Sequence, residues 1–263
     1  MPCCPSVPSR AEQAPLRIAC VALCLILVAC GAPGPRPGEA PGTWAGRPIG
    51  QPPSPNPGLK QAMIQRANRE WEHFDRQVVV FKGSEESIPH VGAWEDDYSH
   101  VSRVNLYWRA VNKPALDGLD CRQPWSAAFI SWVMQSAGVP TSQFRPAIAH
   151  WVYLSSMIEE ASYPGRYFIP RRVQDYSPNP GDLVCAPRGR TPVRAFDGYI
   201  GAGMLQGAET HCDLVVGKSG QTLESIGGNV RNSVSKSIVE LDAQGRLKPV
   251  PRRPWFLIMQ NRL

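Results

Sequence analysis

Ser126 opens the run "SAAFISWVMQSA" directly after Pro124-Trp125. Phe129, Ile130, Val133 and Met134 recur at helical spacing, so the pattern predicts a helix that begins at or next to Ser126. Unpaired N–H groups and the positive end of the helix dipole gather at such a start. A hydroxyl placed there can attack an acyl carbon while those N–H groups receive the developing oxyanion. A serine at a helix start is more often only a cap, spending the same N–H groups on its own side chain. Partners decide between the two. His211, in "HCDLVV", is the candidate general base. Strand alternation puts His211, Asp213 and Val215 on one face and Cys212, Leu214 and Val216 on the other. Two groups could orient the imidazole, Asp213 on the same face and Asn229 in "IGGNV", which reads equally well as an ordinary turn asparagine. The chemistry these residues could carry is acyl transfer by a serine, histidine and polar-residue constellation.

Other side chains enter as candidates of a different kind. His150 and Tyr153 lie three apart on a predicted helix and share a face that could line a substrate cleft, as could Trp125 beside Ser126. Cys121, five residues before Ser126, is an alternative nucleophile, although a disulfide to Cys185 or Cys212 is the commoner fate of a loop cysteine in an oxidising compartment. Asp96, Asp97 and His100 read as a solvated turn and helix start more readily than as a metal site. The five histidines are scattered and zinc-like cysteine spacing is absent from the sequence. No metal and no cofactor is therefore expected.

The elements that must position these residues fall into two groups. Leu59, Met63, Ala67, Trp71 and Phe74 mark a first helix; "QVVVF" is a strand candidate; "SHVSRVNLYWRAV" and "AIAHWVYLSSMIEEA" read as further helices. The later chain alternates in short strands, "RYFIPRRV", "GDLVCAP", "HCDLVV", "TLESIG", "SVSKSIVEL" and "PWFLIMQ". Helices first and strands second predict an α+β fold rather than a doubly wound one.

The first 29 residues stand apart. "RIACVALCLILVAC" is a short apolar run after Arg10 and Arg17, which reads as an export signal. Its end, Leu27-Val28-Ala29-Cys30-Gly31, resembles a bacterial lipobox, which implies that Cys30 is lipidated and becomes the mature N-terminus. With no aspartate after Cys30, the sorting rule implies the periplasmic face of the outer membrane. Residues 30–58, rich in proline and glycine, read as a tether, leaving 59–263 as one domain. Loss of Arg10, Arg17 and Glu12 with the signal lowers the formal charge from +6 by one. This modest excess, with no basic run interleaved with aromatics, argues against nucleic acid as a partner. The membrane contact expected is through the N-terminal lipid, and the protein is expected to be a monomer.

"PWSAAFISWVM", "PGDLV", "HCDLVV" and "GGNVRNSV" resemble, in the same order, blocks of the NlpC- and CHAP-type papain-like hydrolases. From about Trp71 to Leu263 the chain resembles the uncharacterised bacterial domain family numbered 2272, usually grouped with those peptidases. The resemblance implies a papain-like fold, a helical lobe packed on an antiparallel, barrel-like sheet, with a cleft between them. It also implies a cysteine, histidine and polar triad that cuts peptidoglycan peptides or the amide joining them to sugar. By position, Ser126 takes the nucleophile place, His211 that of the base and Asn229 that of the orienting residue. Serine in place of cysteine changes the chemistry, because a hydroxyl needs a true general base where a thiol can react as the thiolate. Two functions follow as expectations. One is an exported, lipid-anchored hydrolase of envelope amide bonds; the other is a catalytically inactive lipoprotein that keeps the cleft to bind or scaffold an envelope polymer such as peptidoglycan.

Overall fold

The computed structural model describes residues 42–189, 191 and 198–263. The expected export signal, residues 1–29, and the expected lipidation site Cys30 lie outside these residues.

Among the described residues four α-helices and ten strands follow one another as β1 (Thr43–Trp44), β2 (Arg47–Pro48), α1 (Pro57–His73), β3 (Val78–Lys82), β4 (Glu85–His90), α2 (Val101–Arg109), α3 (Ser126–Ala137), α4 (His150–Glu159), β5 (Phe168–Arg171), β6 (Leu183–Pro187), β7 (Thr210–Ser219), β8 (Thr222–Val230), β9 (Ser233–Glu240) and β10 (Leu257–Asn261). Local chemistry sets the helix ends. Asn56 accepts a hydrogen bond from Leu59 N and Pro57 sits in the first turn of α1, while Gly138, left-handed at φ 93°, closes α3.

Strands β3 to β10 form a single sheet in the order β4-β3-β9-β8-β7-β6-β10-β5, antiparallel at every junction except β3–β9. The fold is thus α+β with a large, mostly antiparallel sheet. The barrel-like sheet expected from the resemblance is not closed, because β4 and β5 stand at opposite edges of the order. The edge strand β4 reads "EESIPH" and is largely exposed. It carries little apolar alternation, which is why the sequence gives no strand there.

Each face of the sheet is covered. Leu214, Ile226, Leu183 and Met259 pack with Met63, Phe129, Val133 and Leu154 of the helices. Val184, Val215, Val239 and Ile258 look the other way, under Leu247, Val250 and Trp255 of the segment between β9 and β10. The alternation expected for β7 therefore holds, with Cys212, Leu214 and Val216 toward the helices and Val215 away from them.

The described part of the expected tether behaves differently from a solvated linker. Trp44 is buried and its indole donates to Ile200 O, Gly50 N donates to Ala161 O, and Arg262 Nη1 donates to Gly50 O. An indole supplies enough apolar area to dock a proline- and glycine-rich strap that has almost no other core residue. Among the described residues no helix is long and apolar enough to cross a membrane.

Candidate functional site

Ser126 is the first residue of α3, and Trp125 stands in the cap position without a capping side-chain bond. The hydroxyl is therefore not spent as a cap. It meets the imidazole of His150 instead, Oγ to Nε2 at 2.7 Å. His150 opens α4, and its Nδ1 is hydrogen-bonded to the hydroxyl of Tyr153, one turn along. All three are buried.

A small device brings α4 to α3. Ser131, one turn and a half along α3, donates from Oγ to Ala147 O and accepts from Ala147 N. This pins the chain three residues before His150. Phe144 packs on the Tyr153 ring, with centroids 4.7 Å apart.

His211 and Asp213 lie where the alternation of β7 puts them and form a pair of their own, Nε2 to Oδ1 at 2.6 Å. Asp213 also receives Arg253 Nη2 at 3.3 Å on Oδ1 and Ser225 Oγ at 3.3 Å on Oδ2. Burial works to raise the Asp213 pKa, but Arg253 and His211 outweigh it and hold the carboxyl at about 2. Burial first, and then Arg253, press His211 down to about 4. The pair at neutral pH is thus a neutral imidazole donating to a carboxylate, which leaves Nδ1 of His211 as an acceptor.

The two constellations meet ring to ring. The centroids of His150 and His211 are 5.4 Å apart. Burial, and then His211, push the His150 pKa well below the usual imidazole value, with Asp213 opposing; Arg188 and Arg253 add to the depression. Burial raises Tyr153 well above the usual phenol value, so it stays protonated. The structure therefore joins Ser126 to His150 directly and to His211 only through the ring of His150.

Asn229 does not orient His211. Its Oδ1 accepts from Arg188 Nη2 at 3.4 Å and its Nδ2 donates to Glu95 Oε2 at 3.2 Å. The same Glu95 oxygen accepts from the Trp125 indole. Trp125 itself is a core residue, stacked on Tyr107 with centroids 5.5 Å apart, and is not presented to the cleft as a binding residue. Glu95 is buried and ties the loop before α3 to the end of β8, a role its acidic neighbours Asp96 and Asp97 conceal in sequence.

The two glycines of "IGGNV" serve opposite faces of β8. A Cβ on Gly227 would fall 1.9 Å from Asp213 Oδ1 and 3.0 Å from His211 Nε2, so the pair needs a bare backbone there. A Cβ on Gly228 would fall 2.5 Å from Phe129 Cβ, which fixes how closely α3 lies on the sheet. Asn229, Arg231 and Asn232 follow with φ of 55°, 54° and 61°. The last two form the tight β8–β9 turn that a left-handed pair favours.

Cys185 and Cys212 are disulfide-bonded across paired positions of β6 and β7. The bond expected from Cys121 is therefore replaced by one between its two candidate partners, which strand register sets side by side. Cys121 lines the cleft of Ser126. That cleft, about 530 Å³, is also bordered by Arg122, Ala127, Ile148, Trp151, Glu209 and Asn229. Among the described residues no three histidine, cysteine or acidic side chains are grouped to hold a metal. His100 is engaged instead with Ser99 and with His73 O.

A family model described as "Uncharacterized protein conserved in bacteria (DUF2272)" matches residues 95–261. Glu95, Ser126, His150, Tyr153, His211, Asp213 and Asn229 all fall within it. No curated protein and no solved structure matches the chain.

Proposed function

The chain belongs to this bacterial DUF2272 family, and from that premise we propose that it is a serine acyl hydrolase of the cell envelope, with a papain-like arrangement of nucleophile helix and sheet. The observation that carries the proposal is the 2.7 Å contact between Ser126 Oγ and His150 Nε2 at the first turn of α3. Residue types alone favour His211 as base; the geometry favours His150 for the first proton transfer, with His211 and Asp213 behind it.

The reaction runs in two halves. Ser126 Oγ attacks the acyl carbon while its proton passes to His150 Nε2, with Nδ1–H directed at the neutral Tyr153 oxygen. Backbone N–H groups of the first turn of α3, left without a side-chain cap, receive the oxyanion. The imidazolium formed on His150 is stabilised by the Asp213 carboxylate across the ring of His211. His150 returns the proton to the departing amine, leaving an acyl-Ser126. Water, deprotonated by His150, then releases the acid and restores the serine.

The lipobox-like end of the leader and the resemblance to wall hydrolases make an amide of peptidoglycan the substrate class proposed. The test incubates the full chain with peptidoglycan fragments and follows new amines. Release by the wild type and a loss of about 10³-fold or more in Ser126→Ala is expected. Saturable binding of the fragments without release by either protein would instead support an inactive, polymer-binding lipoprotein.

A further inference from the structure

A second cavity, about 440 Å³, adjoins the serine cleft and shares Arg188, Gly189 and Asn229 with it. His211 faces this cavity rather than the serine cleft, so the doublet of histidines stands at the junction. Its lining includes Arg188, Arg231, Arg252 and Arg253 against a single carboxylate, Glu86. Two of these cations are engaged by acids. Arg253 is held on Asp213 and Ser237 and lies over the rings of Phe81 and Trp255. Arg231 pairs with Glu86. The other two hydrogen-bond neutral oxygens, Arg188 the amide of Asn229 and Arg252 the carbonyl of Ser84, with Glu209 and Glu95 near enough to Arg188 to favour its charge.

The lining of the cavity is therefore predominantly basic, four arginines to one carboxylate. Arg231 also holds a left-handed φ of 54°, a conformation that glycine would take at lower cost. We propose that this well is an anion subsite, and that the substrate acylating Ser126 carries a carboxylate or phosphate that lodges between Arg188 and Arg252. This rests on the hydrolase reading for the link to Ser126, while the anion site itself stands on the cavity and its arginines. An anion seated there has a chemical consequence as well. Arg188 and Arg253 oppose positive charge on His150, and a bound anion cancels part of that field as the proton arrives from Ser126.

The experiment has two arms. In the first, inorganic phosphate and acetate are titrated into the full chain at constant ionic strength, with chloride as the reference, and binding is read from thermal unfolding. Saturable stabilisation is expected, weakened about tenfold by Arg188→Gln and by Arg252→Gln, partly retained by the lysine variants, and unchanged in Ser126→Ala. The better of the two anions identifies the group. In the second, succinyl and butyryl esters of one phenol are compared. A preference of about tenfold or more for the acidic acyl group is expected, and its disappearance in the double glutamine variant. Absence of saturable anion binding, or binding indifferent to both arginines, overturns the subsite. Arginine-dependent binding with neither ester cleaved sinks the hydrolase reading and leaves the anion site standing.

Discussion

In the proposed reaction His150 performs two tasks that ask for opposite things. It must be neutral to accept the proton of Ser126, and it must tolerate charge once that proton has arrived. Burial and the neighbouring His211 secure the first, holding its pKa well below the usual imidazole value. The Asp213 carboxylate, itself held at about 2, serves the second. Replacing Asp213 by Asn should leave Ser126 bonded to His150 yet lower kcat by one to two orders of magnitude with little change in KM, since the lost charge acts in the transition state. The acid limb of the kcat/KM profile should lie below pH 6.5, because the base stays neutral there, and should move further down in Asp213→Asn. A profile rising only above neutral pH would contradict this. At this scale the sequence is informative about types and only partly about partners. Ser126, His211 and Asp213 could be singled out because helix spacing and strand alternation are local. The bond from Ser126 to His150 spans 24 residues and depends on how α4 docks, which no local pattern reveals.

That docking belongs to the elements. Ser131 holds the backbone of Ala147 from both its N–H and its C=O. Ser131→Ala leaves both groups buried without that partner and should cost about 1–3 kcal/mol, with a larger fall in activity than in stability because His150 drifts from Ser126. Denaturant unfolding and turnover of the same sample separate the two effects. On the sheet, Gly227→Ala drives a methyl into Asp213 and His211, and Gly228→Ala drives one into Phe129. Each should destabilise by about 1–3 kcal/mol, but only the first should alter the pH profile. An equal change of profile in both would place the His211–Asp213 pair elsewhere. The alternation of β7 was readable from "HCDLVV" because each residue's face follows from its parity. The open edge at β4, the docked strap around Trp44 and the pairing of Cys185 with Cys212 were not readable, since each is set by which segments lie next to one another.

For the whole molecule, the buried histidine and carboxylate make stability depend on pH in a definite direction. His211 titrates at 6.5 when exposed and at about 4 in the fold, so the unfolded chain binds more protons between these values. Its contribution is fully present above pH 6.5 and is lost as the pH falls toward 4; Asp213 adds a second loss between 3.8 and about 2. Urea unfolding should therefore show stability falling steadily below pH 6.5, with a shallower slope in His211→Gln. The disulfide adds a term independent of pH. It closes a loop of sequence separation 27, and its removal by Cys185→Ser with Cys212→Ser should cost about 3–4 kcal/mol on the chain-entropy model. Reduction that left unfolding unchanged would argue that the pairing of β6 and β7 already holds the register without it.

The most direct test of Ser126 as a nucleophile driven by His150 needs no knowledge of the substrate. The full chain is treated with a fluorophosphonate, the modified residue is located by peptide mass, and the rate of labelling is compared among the wild type, Ser126→Ala, His150→Gln and His211→Gln. Labelling at Ser126, abolished in Ser126→Ala, slowed about 10³-fold in His150→Gln and less in His211→Gln is the expected result. A wild-type protein that takes no label at Ser126, or one labelled as fast when His150 is glutamine, would contradict it.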